Sequence, residues 1–201
     1  MKLDLSYETA QTLVEHLRAT GVPFIIVGGL AVQARLYSAT LDVDVMASLE
    51  GFQEMIVRLR QDRLFGTPDR RNWLAKYEVR TGPRPDDVTE VDVLNGRRYC
   101  GNRTPDEFFE YLRQNWTTDS DLGPSLQVPA VWYTRLMVPD SGDTYVRKVV
   151  RDIRAGASRN ALDDVLAIAR YCGTLEKVSS RVARIHRILE EVEGPASLRR
   201  E

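Results

Sequence analysis

The sequence predicts an α+β fold, a sheet flanked by helices with a helical C-terminal part. Three observations carry this. Short β-branched runs alternate with helical stretches over the first hundred residues, one acidic run alternates with period two, and the last sixty residues read as consecutive helices broken by glycines. Ser6 caps a helix running to about residue 20, with Ala10, Leu13, Val14 and Leu17 as its apolar stripe and Gly21 as its stop. His16 lies beside that stripe and reads as a surface or packing residue. Pro23 leads into a buried strand over 24–27. Gly28-Gly29 breaks the strand and lets the backbone approach a ligand closely. Residues 30–36 form one or two turns of helix whose free N–H groups favour an anion. The next strand, 41–46, alternates so that Asp42 and Asp44 face one side while Val43 and Val45 face the core. Two carboxylates side by side on a strand repel each other unless a cation sits between them.

Residues 50–59 read as a helix with Phe52, Met55, Ile56 and Leu59 on one side. The polar stretch 62–73 reads as a loop with Arg70 and Arg71 as solvated charges, and 77–80 as a strand. Two prolines, a glycine and the solvated Asp86 and Asp87 make 81–87 a loop. Residues 89–94 alternate again, placing Glu90 and Asp92 on one face, and Asn95-Gly96 closes the strand. Thr104, Pro105 and Glu107 form a capping box that starts a helix reaching about Asn115. The stretch 116–129 reads as irregular and 139–143 as a loop. Helices follow over about 144–155, 159–172 and 175–192, with Gly156 and Gly173 at the breaks and a frayed tail from Gly194. The expected organisation is a core over 1–100 and a mainly helical part over 101–201 packed on it.

The strand, the Gly28-Gly29 turn, the short helix and the strand carrying Asp42-x-Asp44 together resemble the nucleotidyltransferase superfamily related to DNA polymerase beta. Thr40 fits the Thr-x-Asp-x-Asp form of its small members, among them toxin–antitoxin and antibiotic-modifying enzymes. The resemblance implies a mixed twisted sheet and a third carboxylate on a later strand, for which Asp92 is the candidate and Glu90 a helper on the same face. With Asp92 it spans residues 22–95. Ser38 departs from the family, standing where members often carry an arginine, and Arg35, one turn back, is positioned to serve the phosphates instead. Arg147, Lys148 and the run 159–165 (RNALDDV) are similar to the basic and acidic helix signature that follows the core in small members. Leu162, Asp164 and Val165 fit that signature, whereas Asn160 and Ala161 stand where its basic and acidic residues would be. Asp163 and Asp164 read otherwise as a surface pair on a helix.

The resemblance implies a Mg²⁺-dependent enzyme that moves a nucleoside monophosphate from an NTP, expected to be ATP, to a hydroxyl of a protein, a tRNA or a small molecule. Two Mg²⁺ ions would be held by Asp42, Asp44 and Asp92, about 3.5–4 Å apart, with Asp92 able to accept the hydroxyl proton. The nucleotide would meet Gly28, Gly29, Arg35, Ser38, Thr40 and Lys148. The alternative is a catalytically degenerate nucleotide-binding or partner-binding module of the same fold, which the serine at 38 and the imperfect helical signature leave open.

The 201 residues can bury a core without staples. With 28 Lys and Arg against 29 Asp and Glu, the chain lacks the strongly basic balance of a domain that presents a large nucleic-acid footprint, though a local basic groove is compatible with that count. Cys100 and Cys172 are isolated thiols without metal-ligand spacing, as expected in a reducing cytosol. No apolar signal core and no long apolar run is present, so a soluble cytoplasmic protein is expected.

Overall fold

The computed structural model describes residues 5–36, 42–139 and 143–193, and of 33–36 and 192–193 the backbone only. The tail from Gly194 and residues 37–41, which include Ser38 and Thr40, lie outside the described residues. The chain divides into two compact units, Met1–Gln127 and Val128–Glu201. Residue 100, the division expected from the sequence, falls within the first.

The first unit holds α1 (Tyr7–Ala19), β1 (Ile25–Val27), α2 (Gly28–Leu36), β2 (Asp42–Met46), α3 (Leu49–Leu59), β3 (Asp69–Arg70), β4 (Leu74–Arg80), β5 (Val88–Leu94), α4 (Pro105–Asn115), β6 (Thr117–Ser120) and β7 (Gly123–Leu126). Its strands form one sheet in the order β3-β4-β5-β2-β1-β7-β6. The sheet is mixed: β2 runs parallel to β5 and β1 to β7, while the other neighbours are antiparallel. This is the α+β class expected from the sequence.

Local chemistry accounts for most element boundaries. The Ser6 hydroxyl accepts from the Thr9 N–H at the start of α1, and Ser48 accepts from Gly51 at the start of α3. At α4 both halves of the capping box form: Thr104 accepts from the Glu107 N–H and Glu107 accepts from the Thr104 N–H. Val43, Val45, Val91 and Val93 are fully buried on one side of the sheet, and α1 and α3 add Leu13, Val14, Leu17, Phe52, Met55 and Leu59 to the core. Burying each such side chain stabilises the fold by roughly 1.5–3 kcal/mol.

Three stretches differ from the sequence expectation. The stretch 116–129 contains the hairpin β6–β7 and the start of a helix. Its strands, TTDS and GPSL, show no apolar alternation. They form because β7 pairs with β1 at Ile26↔Ser125, which supplies a template that composition does not reveal. Asp69–Arg70, read as loop, makes a two-residue edge strand against Ala75 and Lys76. β4 starts at Leu74 and so includes Lys76, which the expected strand 77–80 leaves out.

The second unit holds α5 (Val128–Met137), α6 (Thr144–Arg154), α7 (Ala161–Tyr171) and α8 (Leu175–Glu193). Inside it, Asp152 is 1% exposed and receives hydrogen bonds from Trp132 Nε1 at 3.0 Å and Arg135 Nη1 at 2.5 Å. The C-terminal carbonyls of α5 are capped from α8: Lys177 donates to Met137 O, and Arg181 donates to Leu136 O and Val138 O. Cys100 and Cys172 are both buried, free thiols. No helix among the described residues is long and apolar enough to cross a membrane.

Candidate active site

The centre of the sheet gathers acidic residues by register. β2 and β5 pair in parallel with Asp42 opposite Glu90 and Asp44 opposite Asp92. Neighbouring strands lie about 4.8 Å apart, so four carboxylates share one patch of one sheet face. Their partners in the alternation, Val43, Val45, Val91 and Val93, fix which face that is, since a one-residue slip would turn the acids into the core.

Gly28 borders this patch. It follows β1, whose Val27 is paired with Asp44, and it adopts φ +65°. A Cβ built at Gly28 would fall 1.9 Å from Asp44 Oδ2 and 2.8 Å from its Cγ. The Asp44 carboxylate therefore occupies the space that glycine leaves, and only glycine permits both that approach and the left-handed backbone. Gly28 also opens α2, so the unsatisfied N–H groups of the first helical turn begin beside the acidic patch.

Four acids on one face need a counter-charge, and Lys76 provides one. It pairs with Asp92 across the β4–β5 ladder, and its Nζ lies 2.8 Å from Glu90 Oε2. The hydrogen bond to Glu90 is the main cause that holds the Lys76 ammonium above the ordinary lysine value; burial opposes it, and the charges of Glu90, Asp92 and Asp42 reinforce it. Asp92 is pushed up to about 6. Burial is the leading cause, the Lys76 charge opposes it, and Asp42 and Glu90 add to it. Its Oδ1 is buried and has no hydrogen-bond partner among the described residues.

That orphaned oxygen tests whether the site suits a divalent cation. The donors are carboxylate oxygens, the hard ligands Mg²⁺ takes, and a buried acceptor left unmade is costly unless something binds it. In donor chemistry the residues fit. The set is not closed, because no three His, Cys, Asp or Glu side chains among the described residues converge in metal-holding geometry.

The structure thus brings Asp42, Asp44, Asp92, Glu90 and Gly28 together, with Gly29 next to Gly28 in the first turn of α2. Arg35 lies on α2, where only its backbone is described, and Ser38 and Thr40 lie outside the described residues. Lys148 belongs to the second unit, on α6, where its Nζ stands 5.2 Å from the Tyr145 ring centroid. Lys76 is the residue that reading the sequence missed. The signal was there: Ala75 to Arg80 alternates, so that Lys76, Glu78 and Arg80 share a face opposite Tyr77 and Val79.

No protein-family model matches the chain, and no curated protein is significantly similar to it. Among solved structures it is similar to JHP933 from Helicobacter pylori, at 9% identity over 94% of this chain and 96% of that one, with a TM-score of 0.49. It is also similar to the antibiotic-resistance factor ANT(2'')-Ia, at 15% identity over 94% of this chain and 97% of that one, with a TM-score of 0.46. Both TM-scores lie below 0.5, so nothing about activity passes from these proteins to this chain.

Proposed function

We propose that this protein is a Mg²⁺-dependent nucleotidyltransferase that moves a nucleoside monophosphate from an NTP, ATP first among them, to a hydroxyl of a protein, a tRNA or a small molecule. The observation that carries the reading is the β2–β5 register, which sets Asp44 level with Asp92 while Gly28 closes against Asp44. Asp42, Asp44 and Asp92 are the residues that would hold the metal, two ions in the full arrangement. Bound there, Mg²⁺ supplies charge neutralisation for the triphosphate and lowers the pKa of the acceptor hydroxyl.

The chain's own residues do the rest. Backbone N–H groups at Gly28 and Gly29 bind phosphate oxygens, aided by the helix start. Asp92, beside the acceptor hydroxyl in this arrangement, would take its proton. Lys76 orients Glu90 and keeps the acidic face from repelling itself and the incoming phosphates. Positioning and electrostatics are what phosphoryl chemistry asks of a protein.

A second reading, a nucleotide-binding module without turnover, is favoured by Lys76, which already supplies the patch with positive charge. One experiment separates the two. Wild type, Asp42→Asn and Asp44→Asn are melted with and without MgATP, and pyrophosphate release is followed with each of the four NTPs in cell lysate. Transfer predicts a MgATP-induced shift and pyrophosphate release in wild type, and neither in the variants. A shift without pyrophosphate supports the module. Equal shifts in all three proteins remove Asp42 and Asp44 from the site.

A further inference from the structure

Helix α6 carries Arg147, Arg151 and Arg154 at i, i+4 and i+7, a spacing that puts them on one face. Together with Arg184 of α8 they line a cavity of about 460 Å³ in the second unit, which Val150 and Ile188 also line. Among the described residues the only acid in that lining is Asp143, and it is taken: its Oδ2 is 2.5 Å from Arg184. Asp152, near Arg151 at 3.8 Å, already receives Arg135 and Trp132. No described acid pairs with Arg147 or Arg154. All four arginines are exposed. The chain as a whole carries a net charge of −1, so this excess of positive charge is local.

We propose that this groove binds the phosphodiester backbone of a nucleic-acid strand. Guanidinium forks match phosphate oxygens in pairs and stay charged at every working pH. The row from Arg147 to Arg154 runs about 10 Å along the helix axis at 1.5 Å per residue. A base-stacked strand, advancing about 3.4 Å per nucleotide as each strand of a duplex does, sets about three phosphates along that length. A mononucleotide would present its charge at one end only, and the lining holds neither glycine nor paired carboxylates to enclose a triphosphate with its metal. Ile188, partly exposed, offers apolar surface to a sugar or base beside the phosphates. A footprint of this length suits a near-neutral chain, which a broad basic surface would not. The proposal stands on the second unit's own residues and is independent of the transfer reading.

The test is fluorescence anisotropy with short dye-labelled single strands of RNA and of DNA, titrated at several salt concentrations. Affinity should fall with salt with a log–log slope of about −2, as expected for three phosphates on a single strand. The triple variant Arg147→Gln/Arg151→Gln/Arg154→Gln should lose at least about tenfold in affinity and most of that slope. Its unfolding midpoint should stay that of wild type, because the three side chains are exposed. RNA favoured over DNA identifies a 2′-hydroxyl contact, and equal affinity identifies the backbone alone; either supports the groove. Failure of both strands to bind at low salt overturns the proposal, as does unchanged binding by the triple variant. Displacement of the strand by tripolyphosphate at equal phosphate concentration would instead make the groove a mononucleotide site. Displacement by polyglutamate to the same degree would make it a site for acidic protein segments.

Discussion

Asp92→Asn should stabilise the metal-free protein, against the ordinary expectation for a substitution in the middle of a sheet. In the folded chain the Asp92 carboxyl is pushed up to about 6 from its ordinary 3.8, chiefly by burial. A shift of about two units at 1.36 kcal/mol each means that ionised Asp92 costs the native state about 3 kcal/mol. Asparagine keeps the shape and removes the charge. It still leaves a polar atom in the place of the orphaned Oδ1, which forfeits about 1–2 kcal/mol of that gain. The expected net is a stabilisation of about 1–2 kcal/mol at pH 7.5, or roughly 2–8 °C in melting temperature for a chain of this length.

The pH dependence carries the sign of the same shift. The folded state holds the Asp92 proton more tightly than the unfolded state does. This group's contribution therefore lowers stability as pH rises from about 4 to about 6, and the deficit stays constant above that range. Wild type and variant should differ least near pH 4 and most above pH 6.5. Urea unfolding followed by circular dichroism in EDTA, at pH 4.5, 6 and 7.5, measures this, and the series is repeated with Mg²⁺. Mg²⁺ should stabilise wild type and leave the variant unmoved. A variant less stable than wild type by about 1 kcal/mol or more at pH 7.5, with an unchanged pH profile, would show that Asp92 is a bonded structural acceptor and not a buried charge in want of a cation.

Gly28→Ala should cost about 1–2 kcal/mol from its left-handed backbone alone. It should also displace the Asp44 carboxylate that a Cβ would meet at 1.9 Å, so the MgATP-induced melting shift should vanish with the fold retained. Lys76→Met should destabilise the metal-free protein above pH 7 by removing the charge among Asp42, Glu90 and Asp92, and added Mg²⁺ should restore most of the loss; a loss that Mg²⁺ does not touch would make Lys76 a packing residue. Asp152→Ala should cost about 3–5 kcal/mol, because it strands Arg135, 10% exposed, beside an unbonded Trp132 indole. Urea midpoints of that variant against wild type check the size of the effect, and a change under about 1 kcal/mol would mean that water replaces the carboxylate.

Local rules make the acidic strand legible in the sequence by itself. Period-two alternation alone puts Asp42 and Asp44 on one face and Val43 and Val45 on the other, and a paired glycine after a β-branched run marks a break where backbone comes close to something. The Thr104–Glu107 box and the helices of the last sixty residues are legible for the same reason, since caps and stripes act within a few residues. What the sequence could not determine was register. Asp44 meets Asp92, and Lys76 meets both Asp92 and Glu90, only because β2, β4 and β5 pair at one alignment out of several, and the burial of Val43, Val91 and Tyr77 selects it. The β6–β7 hairpin is likewise a tertiary decision, as its polar strands gain their order from pairing with β1. The same is true of the orphaned Asp92 oxygen and the buried Asp152. Whether a carboxylate is solvated or enclosed depends on which distant elements cover it, and no short stretch of sequence carries that information.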